Sequence, residues 1–260
     1  MINIKSNEIH LWCAYDELIK DQDILQRYAR MLNDEEKKQH SRFCFEKHRH
    51  QYLITRALVR TVLSSYINEV APQQWEFKKN KYGKPFISNP LITVPLQFNI
   101  SHTDKLIVLA VTIGQEIGVD AEYLLRSGDT IEIAERYFSN KEVQQLYTLS
   151  PENQKKHFYD LWTLSESYIK ACGMGLSIPL NQFSLLFPNP GEITISFSKE
   201  RNDQAEKWRF WQIQPNEMHR VALALKSNSS NCNYSINMRT SIPLLNSTEV
   251  NYPIIRKTYH

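Results

Sequence analysis

The 260-residue sequence lacks the features that would assign it to several large protein classes. It has only four cysteines, and no two of them form a Cys-x-x-Cys pair. This usage argues against a disulfide framework and a structural zinc site, and it favours reduced thiols in the cytoplasm. There is no run of 18 apolar residues, and the N-terminus has no apolar signal-peptide core. We therefore expect a soluble, cytoplasmic protein without membrane contact.

An excess of charge of one sign is also missing. The formal net charge is +3, and residues 1–225 contain 27 basic and 27 acidic residues. A general nucleic-acid binder would be strongly basic on one face, so no nucleic-acid partner is expected. The chain contains no Walker loop, GxGxxG, GxSxG or HExxH motif, which excludes the most recognisable nucleotide-binding, hydrolase and zinc-protease signatures.

The periodicity of apolar residues predicts an α+β protein. The predicted helices cover 21–31, 46–69, 129–137, 139–148 and 154–173. The predicted strands cover 8–15, 98–102, 106–112, 117–122, 183–187, 193–198, 207–213 and 219–225. The tail after Lys226 holds six Ser and six Asn in 34 residues. This polar composition predicts a loosely ordered segment, within which 242–245 and 252–255 could dock locally.

A weak internal repeat appears at an offset of 107 residues. The recurring residues are Asn33, Glu35, His50 and Tyr52, then Asn140, Glu142, His157 and Tyr159. In both places a capped short helix precedes a long helix that begins near the histidine. The pattern predicts two similar α+β halves, residues 1–105 and 106–226, followed by the polar tail 227–260.

Four charged residues form the most informative candidate site. Asp120 and Glu122 are two residues apart in a predicted strand, so both side chains point to one face. A divalent cation, Mg²⁺ above all, would remove their mutual repulsion. Glu166 and Lys170 are four residues apart in a predicted helix and share one of its faces. The same spacings would also arise without a site, if Asp120 and Glu122 were solvated acids at a strand end and Glu166 and Lys170 formed a surface ion pair.

Other segments are less specific. The segment 99–103 ends a strand with Ser101 and His102. A phosphate could bind there, or His102 could be a turn histidine that only makes local hydrogen bonds. Lys84 lies in a Gly-Lys-Pro turn that could present it to an anion. Cations cluster over 37–60, either as a solvated face or as a surface for phosphates or an acidic partner. The residues alone thus indicate an α+β, Mg²⁺-dependent enzyme that handles a phosphorylated substrate.

Four segments taken in order, and a fifth that follows the last of them, resemble the 4′-phosphopantetheinyl transferases, in particular the long, monomeric surfactin-type group. They are YGKP (82–85), FNISH (98–102), IGVDAE (117–122), WTLSESYIK (162–170) and GMGLSIPL (173–180). The resemblance covers about residues 25–225. It implies two pseudo-twofold-related halves with the active site in the cleft between them. It also implies transfer of the phosphopantetheine arm of coenzyme A (CoA) to a serine of an apo acyl or peptidyl carrier protein, with release of 3′,5′-ADP.

By motif position, the resemblance implies that Asp120, Glu122 and Glu166 hold Mg²⁺, with Mn²⁺ as an alternative ion. Glu166 and Lys170 are the implied catalytic residues, with Glu166 as the candidate base for the serine. Lys84, Ser101, His102 and Lys170 are the implied CoA contacts. A monomer is expected.

The sequence departs from the family pattern at two places. Ser165 stands where the signature helix usually has a lysine, and Glu36 and Gln39 stand at usually basic positions. These departures leave open a non-catalytic CoA- or carrier-binding paralogue. A metal-dependent phosphohydrolase is a further alternative.

Overall fold

The computed structural model describes residues 1–128, 130–228 and 232–259, which form two compact units. Unit 1 contains Met1–Lys78, Pro85–Gly114 and Tyr234–Asn251; unit 2 contains Lys79–Lys84, Gln115–Asn233 and Tyr252–His260. The helices are α1 (Gln22–Met31), α2 (Asp34–Arg42), α3 (Glu46–Tyr66), α4 (Thr130–Tyr137), α5 (Asn140–Tyr147) and α6 (Pro151–Cys172). The strands are β1 (Glu8–Ala14), β2 (Phe77–Lys79), β3 (Pro85–Ile87), β4 (Leu96–Thr103), β5 (Leu106–Ile113), β6 (Ile117–Tyr123), β7 (Phe183–Leu186), β8 (Thr194–Phe197), β9 (Trp208–Asn216), β10 (His219–Lys226), β11 (Ser235–Ile242), β12 (Asn246–Val250) and β13 (Ile254–Lys257).

Unit 1 is built on a five-stranded sheet in the order β12-β11-β1-β5-β4. Strand β1 runs antiparallel to β5 and parallel to β11. Apolar residues of α3, among them Ile54, Leu58 and Leu63, are fully buried in the same core as Trp12 and Leu109 of the sheet. The sheet and α3 therefore form one hydrophobic core, as expected when a helix covers one face of a sheet.

A buried ion network fixes α2 against α3. Asn33 caps α2 in a capping box with Glu36. The Glu36 carboxylate also accepts hydrogen bonds from Arg56 and from Arg60, which is completely buried. Arg60 further donates to the backbone carbonyl of Trp75 at 3.0 Å. Two members of the cation cluster noted in the sequence, Arg56 and Arg60, therefore stabilise the packing of α2 on α3. Their partner is Glu36, the acid that stands at a usually basic position of the family.

Unit 2 is built on a four-stranded antiparallel sheet in the order β13-β9-β10-β6, covered by the long helix α6. Helix α6 begins with Pro151, whose missing N–H costs nothing in the first turn. It ends at Gly173, which adopts a left-handed φ of 65° and donates its N–H to Ile169. These two signals explain why α6 starts and stops where it does.

Small residues allow α6 to approach the sheet closely. Gly118 of β6 lies opposite Ala224 of β10, and Asp120 lies opposite Ala222, so these side chains share one face of the sheet. A Cβ atom added to Gly118 would lie 2.0 Å from the carbonyl oxygen of Ser167 in α6. The backbones of β6 and α6 are therefore in contact at Gly118, which lies two residues before Asp120 in the strand.

The predicted α+β class is confirmed, and so is the division into two halves. Each unit contains a short helix with a capping box, α2 or α5, followed by a long helix, α3 or α6. The structure differs from the predicted boundaries, because β5 pairs with β1 and β4 and so places residues 106–113 in unit 1. The predicted site between the halves stays a prediction.

The tail also differs from its predicted loose order. Strands β11 and β12 extend the sheet of unit 1, and β13 extends that of unit 2. Positions 229–231 and 260 of this tail lie outside the described residues. The polar composition was misleading because strands near a sheet edge can expose polar side chains while their backbone pairs. Ile242 and Leu244 supply the apolar contacts with the core of unit 1.

Within the described ranges, no helix is both long enough and apolar enough to span a bilayer.

His157 in α6 leads to a stability prediction. Its Nε2 atom is buried and makes no hydrogen bond with any described residue. Burial lowers the pKa of His157 from 6.5 to about 4, with Asp160 opposing and Arg256 assisting the shift. Because the unfolded chain binds this proton more readily, we expect the free energy of unfolding to fall as pH drops from about 6.5 towards 4.

Replacing His157 by Phe, beside the ring of Phe187, should remove this contribution. Urea unfolding at pH 7 and pH 5 measures this change in the free energy of unfolding. We expect a smaller loss of stability in His157→Phe than in the wild type, because the other titrating groups are common to both. An equal loss in the two proteins would contradict the assignment.

Candidate active site

Strand β6 presents two carboxylates toward the side covered by α6. Asp120 and Glu122 alternate with the buried residues Val119 and Ala121, so both acids lie on the face that carries Gly118. Asp120 is only 5% exposed, whereas Glu122 is half-buried at the end of the strand. The predicted pairing of these acids on one face is therefore present in the structure.

Helix α6 brings Glu166 and Lys170 to the same place. The Lys170 Nζ atom donates to Asp120 Oδ1 at 2.6 Å, across 50 residues of sequence. Burial and, after it, the Asp120 charge raise the pKa of Glu166, which places Glu166 in the same electrostatic environment. Lys170 thus forms an ion pair from helix to strand, and its charge also acts on Glu166 within α6.

Two acids of this cluster, Glu122 and Glu166, have raised pKa values. Burial raises the pKa of Glu122 to about 7, with further contributions from the charges of Asp120 and Glu166. Burial is also the main cause of the raised pKa of Glu166, and Lys170 partly offsets it. The cluster thus holds more negative charge than Lys170 alone balances, and a further cation would stabilise it.

The donor chemistry fits a hard divalent cation. Glu122 Oε2 is buried and accepts no hydrogen bond from the described residues, although the Arg126 guanidinium forms an ion pair with it at 3.5 Å. As arranged, no group of three or more His, Cys, Asp or Glu side chains in residues 1–128, 130–228 and 232–259 could hold a metal ion. Mg²⁺, however, commonly takes one or two protein carboxylates and completes its shell with water and substrate phosphate. Asp120 and Glu122 provide such a pair, beside Glu166.

The predicted CoA contacts fall into two places. Ser101 and His102 lie at the end of β4 in unit 1, opposite Val108 and Ile107 of β5. As neighbours in a strand they point to opposite faces, and only His102 is exposed. Their role in CoA binding stays a prediction.

Lys84 lies in unit 2, and its ammonium group donates to the backbone carbonyls of Ile117 and Ala171 at 3.1 and 2.9 Å. Burial lowers the pKa of this lysine. The turn of Lys84 is thus present as predicted, but the ammonium group contacts backbone oxygens rather than facing solvent freely.

Sequence reasoning missed two residues of this site. Gly118 sets the distance between β6 and α6, and its only signal is a glycine inside a strand pattern, which often marks close backbone approach. Arg126 forms an ion pair with Glu122 from the turn after β6, and nothing in the sequence singles it out. The roles of Gly118 and Arg126 depend on where α6 and the turn after β6 lie in space, which the local sequence pattern does not specify.

Ser165, the departure from the family pattern, is buried in α6. Its side chain is 1% exposed, and its Oγ atom makes no hydrogen bond with any described residue. A buried hydroxyl without a partner costs free energy that an alanine avoids. We therefore expect Ser165→Ala to keep the activity and to leave the free energy of unfolding unchanged or about 1 kcal/mol higher.

Ser167→Ala is the matched control, since Ser167 is equally buried in the same helix but donates to the carbonyl of Leu164 at 2.7 Å. Thermal unfolding of both variants measures how much stability changes when each hydroxyl is removed. A larger loss of stability in Ser165→Ala than in Ser167→Ala would contradict the expectation.

The fold and the cluster define an α+β protein whose unit 2 carries three coupled carboxylates and a lysine on one sheet–helix contact. Comparisons with known proteins specify the class further. The sequence model of the 4′-phosphopantetheinyl transferase superfamily matches residues 116–225, and the model described as 4′-phosphopantetheinyl transferase, N-terminal, matches residues 20–114.

Individual relatives agree with these matches. The chain is 34% identical to the 4′-phosphopantetheinyl transferase HetI of Nostoc sp. over 176 residues, which cover 68% of this chain and 73% of that protein. It is 32% identical to the 4′-phosphopantetheinyl transferase Sfp of Bacillus subtilis over 170 residues, 65% of this chain and 73% of the relative. The human L-aminoadipate-semialdehyde dehydrogenase-phosphopantetheinyl transferase is 28% identical over 213 residues, 76% of this chain and 68% of the relative. The chain belongs to the 4′-phosphopantetheinyl transferase superfamily.

Proposed function

We propose that this protein transfers the 4′-phosphopantetheine arm of CoA to a serine of an apo acyl or peptidyl carrier protein and releases 3′,5′-ADP. The observation that carries the proposal is the pairing of Lys170 with Asp120 beside Glu122 and Glu166. All four residues lie within the part of the chain that matches the superfamily.

Members of this family use CoA as a substrate and typically a divalent metal ion. In this chain Asp120 and Glu122 would hold the ion as a pair, and Glu166 beside them would be the third ligand once its side chain turns to the ion. The all-carboxylate donors favour Mg²⁺, with Mn²⁺ as an alternative. When bound, the ion would supply charge neutralisation to the pyrophosphate of CoA. The buried Glu122 oxygen without a hydrogen-bond donor and the repulsion of Glu122 by Asp120 support this assignment.

The residues of the chain itself can perform the remaining chemistry. Glu166 accepts the proton of the carrier serine, directly or through water, as the serine oxygen attacks the phosphorus that bears the pantetheine arm. The bond from this phosphorus to the oxygen of the ADP moiety breaks, and the electron pair leaves with 3′,5′-ADP. The Lys170 ammonium stabilises the negative charge that develops on the phosphate oxygens.

Ser101 and His102 are proposed to contact phosphates of CoA. The exposed imidazole of His102 at the end of β4 supports this role. For Lys84, the two backbone hydrogen bonds favour a different role. A monomeric, cytoplasmic enzyme is also proposed, and the four free cysteines support a reducing location.

An assay of 3′,5′-ADP release tests this function. The protein is incubated with CoA and Mg²⁺, with or without an apo carrier protein, and with or without EDTA. We expect 3′,5′-ADP only when both the carrier and the metal are present. Phosphate or nucleotide release without a carrier would instead indicate a phosphohydrolase. CoA binding by calorimetry without any turnover would indicate a non-catalytic paralogue.

A further inference from the structure

The turn that carries Lys84 is held rigidly by its own hydrogen bonds. Asn80 Oδ1 accepts from the N–H groups of Tyr82 and Lys84 at 2.9 and 3.0 Å. The backbone of Asn80 also donates to Lys84 and accepts from Gly83, at 3.0 Å in both cases. Gly83 adopts a φ of 94°, a conformation that glycine enters without strain. The start of the Lys84 side chain is therefore fixed in direction.

This turn binds the C-terminal end of α6. Lys84 Nζ donates to the carbonyl of Ala171 at 2.9 Å, and Asn80 Nδ2 donates to the carbonyl of Gly173 at 2.7 Å. The last carbonyls of a helix lack partners within the helix, and the helix dipole makes this end negative. A lysine and an amide are well suited to stabilise it.

The same ammonium group also binds the start of β6, because Lys84 Nζ donates to the carbonyl of Ile117 at 3.1 Å. One side chain thus joins the first residue of the strand to the last turn of the helix. The two carbonyls flank the candidate site: Ile117 precedes Asp120 by three residues, and Ala171 directly follows Lys170.

The contact at Gly118 and the bond to Lys84 act on the same pair of elements. At Gly118 the backbones of β6 and α6 already touch, so they cannot move closer. The ammonium group of Lys84 opposes their separation and their sliding along one another. Together these contacts fix the register that brings Lys170 to within 2.6 Å of Asp120.

We propose that Lys84 is a positioning residue of the transferase, which holds α6 against β6 so that Lys170 and Glu166 stay aligned with Asp120. The inference rests on the proposed function of these three residues. It differs from the role that the family resemblance implies for Lys84, which is a direct contact with CoA. A direct contact would contribute to CoA affinity, whereas a positioning role contributes mainly to the chemical step.

The test compares Lys84→Met with Lys84→Arg. Methionine keeps most of the length of the side chain and removes its donors. Arginine keeps a cation for an anionic ligand but cannot reproduce the geometry of one ammonium group between two carbonyls. Lys81→Met is the matched control, because Lys81 is an exposed lysine of the same turn whose Nζ lies 4.8 Å from the ring centroid of Tyr82.

We expect kcat to fall by about 10- to 100-fold in both Lys84 variants, with KM for CoA changed much less, because small misplacement of reacting groups slows the chemical step. Amide hydrogen exchange should also become faster in residues 169–173, at the end of α6. Lys81→Met should match the wild type in all three measurements. Hydrogen exchange can be measured even in an inactive variant. If Lys84→Met does not fold, the same measurements are made on Lys84→Arg.

A raised KM for CoA with unchanged kcat in Lys84→Met, together with normal kinetics in Lys84→Arg, would overturn the inference and make Lys84 a CoA ligand. Unchanged hydrogen exchange in residues 169–173 of both variants would also overturn it. If the wild type transfers nothing, the proposed function fails separately, while the exchange result still decides whether Lys84 holds α6 in place.

Discussion

Asp120→Ala and Glu166→Ala should each lower the rate of phosphopantetheine transfer by about 100- to 1,000-fold. Each change removes a carboxylate that we assign to the divalent cation, and Glu166→Ala also removes the proposed base. Loss of one preorganised electrostatic group in an active site typically has an effect of about this size. Steady-state kinetics with an apo carrier and saturating CoA measures the effect, and calorimetric titration with Mn²⁺ reports metal binding independently.

Glu116→Ala is the matched control for these variants. Glu116 directly precedes β6, but its side chain is 56% exposed and pairs with Lys226 at 3.7 Å. We expect normal activity and normal Mn²⁺ binding in this variant. Near-normal activity in Asp120→Ala or Glu166→Ala, with the fold intact by circular dichroism, would contradict the metal and base assignments.

Gly118→Ala should have the largest effect on the fold. The added Cβ would lie 2.0 Å from the carbonyl oxygen of Ser167 and 2.4 Å from the backbone nitrogen of Ala171. Both are backbone atoms of α6, so the helix itself would have to move away from β6. Overpacking usually costs about 1–3 kcal/mol, and a clash with helix backbone belongs at or above the upper end of this range.

The variant should therefore unfold at a much lower temperature and lose its activity, since displacement of α6 also separates Lys170 from Asp120. Gly114→Ala is the control. Gly114 has a φ of 68°, and its added Cβ would meet no atom within 4 Å, so only the conformational cost of about 1 kcal/mol remains. Similar melting temperatures for the two variants would show that the contact at Gly118 is not as close as described.

Local patterns were sufficient to predict much of the fold. The capping signal at Asn33 is a short-range feature, and the structure uses it. The alternation in β6 likewise placed Asp120 and Glu122 on one face. These predictions depend only on residues a few positions apart, which is why the sequence was enough.

Contacts between distant parts of the chain could not be predicted in the same way. Strand β11 pairs with β1 in register from Glu8 with Ser235, more than 200 residues away, and no local signal in the polar tail indicates this partner. The choice of Asp120 as the partner of Lys170 likewise requires the packing of α6 on β6. The hydrogen bonds of Lys84 depend on that same packing. The sequence therefore identified the candidate residues but not their partners.

The most direct test of the proposed function is the intact mass of a carrier protein. An apo acyl or peptidyl carrier is incubated with this protein, CoA and Mg²⁺, and is then examined by mass spectrometry. We predict a gain of one phosphopantetheine on the carrier serine, and no gain with Glu166→Ala. An unchanged carrier mass across several carriers, each of which a known transferase modifies under the same conditions, would contradict the proposed function.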